Sequence, residues 1–143
     1  MARTRCGSGP FFGSGTRGTI DVVKVLIVDG ANVVGSVPDG WWRDRAGAAS
    51  RLHDGLARGQ WPYDQVVLVV EGQARKGVEA GVTDGLTTIH APGEGDDEIV
   101  AQCRVLAERG DDVTVATADR GLIARLTPLG AAITGPRDFH PGR

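Results

Sequence analysis

The segment VVKVLIVDG, residues 22–30, decides the class of fold in this sequence. It is a nearly continuous apolar run that stops at Asp29 and Gly30. A strand that is buried on both faces has this pattern, whereas a half-exposed strand alternates apolar and polar residues. Both faces of a strand are covered when helices pack on each side of a parallel sheet. The segment therefore predicts an α/β protein.

The rest of the chain continues an alternation of strands and helices. Residues 72–84 are polar and glycine-rich, which is typical of a loop or a short helix. The alternation predicts βαβ units, and hence a single-domain αβα sandwich around a mostly parallel sheet of four to five strands. The later predicted strands are Gln65–Val70, Leu86–His90, Val113–Thr117 and a short Ala131–Thr134, and the predicted helices are 44–58, 96–109 and 120–127.

Length, composition and charge restrict the possible functions. The 143 residues suffice for one domain with a real core, which we expect over 22–137, after a flexible Gly/Ser/Arg-rich tail at 1–21 and before a short polar end at 138–143. The formal charge of −2 excludes nucleic-acid binding by overall charge, so that any contact must come from a local basic patch. Two cysteines are too few for a disulfide framework or a zinc site. With no apolar run long enough for a bilayer, we expect a cytoplasmic protein without a membrane role.

An acidic side chain follows each of the first four predicted strands. Asp29 follows the first strand, Glu71 the second, Asp96 and Asp97 the third, and Asp119 the fourth. The carboxyl ends of parallel strands meet at one edge of a sheet, so we expect these carboxylates to converge. Their mutual repulsion raises their pKa values unless a cation neutralises them. Hard oxygen ligands suit Mg²⁺ or Mn²⁺, and such a cluster can activate water against a phosphodiester.

A purely structural role is the alternative for each acid taken alone. Asp119 precedes a predicted helix and can serve as its N-cap, while Asp96 and Asp97 lie in a first helical turn, where negative charge is favourable. Capping does not account for Asp29 and Glu71, because no predicted helix begins directly after either residue. The recurrence of acids after successive strands therefore favours a site.

Three motifs occur in a fixed order along the chain: VLIVDGANVV at 25–34, GDDEI at 95–99 and TADR at 117–120. Together they resemble NYN domains, a branch of the PIN-like nucleases, and in particular its YacP-like members. The resemblance spans about residues 22–137. It implies a PIN-like fold and a divalent-metal-dependent endoribonuclease that acts in RNA processing or decay.

The resemblance also implies roles for individual residues. Asn32 would orient Asp29 or the substrate, and Thr117 would hydrogen-bond within the site. The family often has an aspartate after an aromatic residue at the end of the second strand, whereas Glu71 follows Val70 here, which leaves open whether Glu71 is a ligand. The implied catalytic residues are Asp29, Asn32, Asp96, Asp97, Thr117 and Asp119, and the metal ligands would come from Asp29, Glu71, Asp96, Asp97 and Asp119.

Aromatic and basic residues near the same edge are candidates for binding RNA. Aromatic faces stack on unpaired bases, and arginines bind phosphate through paired hydrogen bonds. The alternative is that one of the two adjacent tryptophans fills the core beneath its loop and that the basic residues are solvated. The candidates are Trp41, Trp42, Arg43, Arg45, Arg75, Lys76 and Arg120.

Other enzyme classes with an α/β fold lack their motifs here. A haloacid-dehalogenase-like phosphatase needs a second aspartate two residues after the first, where this chain has Ala31. No P-loop is present, and the first strand is not followed by a dinucleotide-binding glycine motif. The remaining alternative is a nuclease-like domain that binds RNA or a ribosome without cutting RNA.

Overall fold

The computed structural model describes residues 22–142, which form a six-stranded sheet with helices on both faces. The strands are β1 Lys24–Asp29, β2 Gln65–Val70, β3 Gly81–Thr83, β4 Leu86–His90, β5 Asp112–Ala116 and β6 Ala132–Thr134. The helices are α1 Gly30–Val34, α2 Arg45–Arg58, α3 Gly95–Glu108 and α4 Arg120–Leu126. Across the sheet the order is β3-β4-β2-β1-β5-β6, and every neighbouring pair is parallel except β3 with β4.

The apolar run of the first strand is explained by burial on both faces of β1. Val25 and Ile27 pack under α3 and α4, with Ile99 and Leu122 among their neighbours in the core. Leu26 and Val28, on the opposite face of the strand, belong to a second core layer with α1 and α2, and Leu52 of α2 is part of that layer. The α/β sandwich predicted from this run is confirmed.

The sheet has one strand more than the four to five expected. Residues 72–84, predicted as a loop or short helix, contain a 3₁₀ helix at Gly72–Gly77 and then the antiparallel edge strand β3. Asp84 and Gly85 join β3 to β4 with φ angles of 50° and 81°, as a two-residue hairpin turn requires. The strand was missed because all three of its residues are exposed, so it has no apolar pattern.

The packed part of the chain extends past the boundary at 137 that the sequence suggested. Phe139 is buried and its ring centroid lies 5.1 Å from that of Trp61. His140 is also buried and its Nε2 lies 3.4 Å from Oδ2 of Asp39. The tail predicted at residues 1–21 lies outside the described residues. Within 22–142, no helix combines the length and the apolar character that crossing a membrane requires.

The strand order changes direction at β1, because β2 and β4 follow on one side of it and β5 and β6 on the other. This switch point determines where a site can form. β1 pairs with β2 on one side and with β5 on the other. Ligands of open parallel sheets bind beyond the carboxyl ends of the strands at such a switch point. Because Val28 is paired with Ala116, the next residues, Asp29 and Thr117, lie side by side at that edge.

Candidate active site

Asp29 is a buried carboxylate at the switch point of the sheet. Its side chain accepts hydrogen bonds from the Thr117 hydroxyl at 2.9 Å and from the Asn32 backbone N–H at 3.3 Å. The pKa of Asp29 is raised to about 6, chiefly by burial and also by the charges of Asp96 and Glu71, although the two hydrogen bonds lower it. The carboxyl group therefore lies where its negative charge is poorly solvated and faces two other acids.

Asn32 and Thr117 connect α1 to the loop after β5. The Asn32 side-chain oxygen accepts a hydrogen bond from the Ala118 N–H at 2.8 Å. The Thr117 hydroxyl, which donates to Asp29, also accepts from the Asp119 N–H at 3.1 Å. Asp119 in turn caps α4 by accepting from the Leu122 N–H at 3.0 Å. These hydrogen bonds hold the side chain of Asp29 and the loop that carries Asp119 in fixed positions.

Glu71 reaches across from the end of β2 to the start of α3. Its Oε1 accepts a hydrogen bond of 3.0 Å from the backbone N–H of Gly95, the first residue of that helix. A Cβ on Gly95 would lie 2.5 Å from the same oxygen, so a glycine is needed for this approach. Glu71 thus supplies the side-chain cap that Glu94, the residue before α3, does not provide.

The two adjacent aspartates at the start of α3 have different surroundings. Burial raises the pKa of Asp96, and the charges of Asp119 and Glu71 raise it further, while Arg125 lowers it. The side chain of Asp97 is 70% exposed and forms a 3.0 Å ion pair with Arg125. The structure therefore brings Asp96 toward the other acids and turns Asp97 toward Arg125.

The prediction that capping does not account for Asp29 and Glu71 is wrong. Asp29 does precede a helix, because it is the N-cap of α1 and accepts a hydrogen bond from Asn32. This five-residue helix was missed because Gly30 opens it and it is too short to show a period. Glu71 also precedes helical residues, the 3₁₀ helix at 72–77, but its side chain does not cap them. Capping thus accounts for both acids, because Asp29 caps α1 and Glu71 caps α3.

The four acids that the structure brings to this edge are Asp29, Glu71, Asp96 and Asp119. Carboxylate oxygens are the donors that Mg²⁺ and Mn²⁺ prefer. Their charges interact, as the raised pKa values of Asp29 and Asp96 indicate. Within residues 22–142, however, no group of three or more acidic, histidine or cysteine side chains is arranged to hold a metal ion. The carboxylate oxygens of these acids are chemically suited to a divalent ion, but the four side chains are not arranged as a complete set of ligands.

The two adjacent tryptophans point in different directions. Trp41 is half-buried, while Trp42 is 48% exposed, and their rings meet edge to face with centroids 5.7 Å apart. The guanidinium carbon of Arg45 lies 5.0 Å from the Trp41 ring centroid, and that of Arg43 lies 5.8 Å from the Trp42 centroid. Each tryptophan is thus paired with one arginine.

The other basic candidates lie on exposed parts of the edge. Arg75 donates to the carbonyls of Gly72 at 3.2 Å and Ala91 at 3.4 Å, so it connects the segment after β2 to the end of β4. Lys76 and Arg120 have exposed side chains. Arg120 is the first residue of α4 and adjoins Asp119.

A cavity of about 320 Å³ opens beside the acids, and sequence reasoning missed it. It lies between α1, α2 and the segment that follows β2, with Trp41 on its wall and Glu71 at its rim. Its apolar lining includes Val34, Leu52 and Val70. Sequence patterns cannot reveal such a space, because it depends on how far apart the packed elements lie.

Comparison with known proteins identifies the fold. No family model matches the chain, and no curated protein matches it either. Among solved structures, the chain matches a variant of Rae1 (YacP) from Bacillus subtilis with a TM-score of 0.51 and 16% sequence identity, over 81% of this chain and 72% of that one. The motifs at 25–34, 95–99 and 117–120 predicted this likeness, and the chain shares the αβα fold of that structure.

Proposed function

We propose that this protein is a divalent-metal-dependent endoribonuclease that hydrolyses phosphodiester bonds of RNA in processing or decay. The observation that carries the proposal is the convergence of Asp29, Glu71, Asp96 and Asp119, which follow different strands, on one edge of the sheet. Mutual repulsion of this kind is costly for a protein unless a cation offsets it. The PIN-like fold supports a nucleic-acid substrate.

Asp29, Asp96 and Asp119 would hold Mg²⁺ or Mn²⁺, with Glu71 beside them. The bound ion would supply an activated water and stabilise charge on the phosphate. Asn32 and Thr117 orient the acids, because they bond both Asp29 and the loop that carries Asp119. Asp97 lies outside this set in the proposal, since it is exposed and paired with Arg125.

Single-stranded RNA would lie along the edge that carries the tryptophans and the basic residues. Trp41 and Trp42 would stack on unpaired bases, at roughly 1–3 kcal/mol per base. Positive charges near the acids would bind the phosphates, which is needed because the whole chain has a net charge of −2. These charges are Arg43, Arg45, Arg75, Lys76 and Arg120. A ribosome could present the RNA, as the YacP-like resemblance implies.

The test is cleavage of a labelled RNA that has both paired and unpaired segments, with Mg²⁺, with Mn²⁺ and with EDTA. Asp29→Asn, Asp96→Asn and Asp119→Asn should abolish cleavage while the far-ultraviolet circular dichroism stays unchanged. Asp97→Asn is the matched control, because it removes a neighbouring charge of the same helix turn and should leave cleavage within about threefold of the parent. If the first three variants cut as fast as the parent, the assignment is wrong.

Binding of RNA without cleavage is a second candidate, and one observation favours it. The described residues form no closed metal-binding group, and Asp29, Glu71 and Asp119 each accept a backbone hydrogen bond. This candidate predicts that RNA stays bound in EDTA and that no metal yields a product. The cleavage assay above therefore separates the two candidates.

A further inference from the structure

We propose that the cavity between α1, α2 and the segment after β2 is a subsite for one unpaired nucleobase of the RNA. This inference rests on the proposed function and extends it, because it names the part of the substrate that the space takes. The volume of about 320 Å³ lies within the range of about 300–1,000 Å³ that is typical of small-molecule sites. Gaps left by imperfect core packing are much smaller, rarely exceeding a water molecule.

The wall of the cavity suits a flat aromatic ligand. Trp41 forms one side, and its ring meets that of Trp42 edge to face with centroids 5.7 Å apart. Arg45, whose guanidinium carbon lies 5.0 Å from the same ring centroid, also lines the space. A base that enters there can stack on a preformed indole face, while Arg45 is placed to contact the adjoining phosphate.

The rim of the cavity is polar where the base edge would lie. Glu71 and Gln73 line it beside apolar residues such as Val70. A carboxylate accepts hydrogen bonds from ring N–H and amino groups, and an amide both donates and accepts. An aliphatic ligand would form no hydrogen bond with either side chain. A heteroaromatic base satisfies both the apolar wall and the polar rim.

The position of the cavity relates it to the proposed chemistry. Gly30 lines it and directly follows Asp29, and Glu71 both lines it and acts electrostatically on Asp29 and Asp96. A base seated there would therefore hold its own phosphodiester at the edge where the acids converge. This geometry predicts that the enzyme needs an unpaired base next to the bond it cuts. Trp42, with its exposed ring, lies outside the cavity and would serve a different nucleotide.

The experiment uses adenosine monophosphate as a probe of the full-length protein, in EDTA, with tryptophan fluorescence as the readout. Saturable quenching is expected for the parent. Ala31→Leu, on the exposed side of α1 at the cavity, should raise the dissociation constant on the order of tenfold, because the leucine fills the space. Ala124→Leu, exposed on α4, is the matched control and should bind as the parent does.

Ala74 also lines the cavity, from the segment after β2. Ala74→Leu is therefore a second variant that fills the space, for the case in which Ala31→Leu does not fold. Trp41→Phe should lose most of the quenching, whereas Trp61→Phe, at a residue that packs on Phe139 outside the cavity, should keep it. Absence of saturable quenching in the parent, or equal binding by the folded filling variants, would overturn the subsite. These results are independent of cleavage: quenching without cleavage in any metal refutes only the nuclease, and cleavage without quenching refutes only the subsite.

Discussion

The hydroxyl of Thr117 donates a hydrogen bond of 2.9 Å to Oδ2 of Asp29, across 88 positions of the sequence. Both residues are buried, at 2% and 4% exposure. The bond joins the ends of the neighbouring strands β1 and β5 and offsets part of the cost of burying the carboxylate. The Thr117 hydroxyl, which the resemblance implied only as a hydrogen-bonding group of the site, therefore also holds the ends of β1 and β5 together.

Thr117→Val should destabilise the fold, because it keeps the shape of the side chain and removes this bond. A buried acceptor left without its donor costs about 1–3 kcal/mol, and the pKa of Asp29 should rise further. Chemical denaturation at pH 7 measures the loss. Thr114→Val, in the adjoining strand β5, is the control and should change the free energy of unfolding by less than about 1 kcal/mol. Equal losses in both variants would contradict the role given to the bond.

The stability of the protein should depend on pH through Asp29. Its pKa is raised from 3.8 to about 6 in the fold, so between these values the folded chain keeps a proton that the unfolded chain has released. The free energy of unfolding should therefore decrease as the pH rises from about 4 to about 6, by up to about 3 kcal/mol.

Asp29→Asn isolates that contribution, because the variant cannot ionise at this position. Measured by denaturation at several pH values, the difference in unfolding free energy between Asp29→Asn and the parent should grow in favour of the variant from pH 4 to pH 6 and then level off. Thr114→Val, which removes no titratable group, should show no such trend. A difference that stays constant over this range would mean that Asp29 titrates normally.

Divalent ions should stabilise the fold through the converged acids. Mg²⁺ or Mn²⁺ at a hundred times its dissociation constant adds about 2.7 kcal/mol to the stability of a protein that binds it only when folded. The parent and Asp97→Asn should therefore show a rise in melting temperature with the ion, while Asp29→Asn and Asp96→Asn should show little. An equal rise in all four proteins would place the ion elsewhere.

Gly95→Ala should lower activity much more than stability. The added methyl group would lie 2.5 Å from Oε1 of Glu71, and a glutamate side chain can move away at little cost, whereas its place beside Asp96 would be lost. A displacement of about 1 Å in such a site costs up to about a hundredfold in rate. Cleavage assays and denaturation on the same sample measure both effects.

Gly93→Ala is the control for that variant, because a Cβ at this position meets no atom within 4 Å. It should keep both the rate and the stability of the parent. If Gly95→Ala cut RNA at the parent rate, Glu71 would have no part in the site.

The central strands could be predicted from the sequence because burial on both faces leaves a long apolar run, as in β1 and β2. The hydrophobic pattern does not predict α1 or β3. α1 has only five residues and begins at Gly30, and the three residues of β3 are all exposed. The Asp84-Gly85 dipeptide was a usable signal for the hairpin, and it was missed. Local sequence thus predicts the interior of the sheet better than its edges.

The GDDEI motif does not say by itself whether Asp96 or Asp97 faces the other acids. The buried residues Ile99, Val100 and Cys103 lie three, four and seven positions after Asp96, so helical periodicity places Asp96 on the inward side of α3. That signal was present in the sequence. The ion pair between Asp97 and Arg125 was not, because it depends on how α3 packs against α4.

The order of the strands also has a consequence for synthesis. β1 and Asp29 are made before β5 and the loop at 117–119. A growing polypeptide that ends before Thr117 holds Asp29 without the hydroxyl beside it and without Asp119. The acids can therefore converge only after residues 117–119 have been added, so a shorter nascent chain lacks the arrangement on which the proposed cleavage of RNA depends.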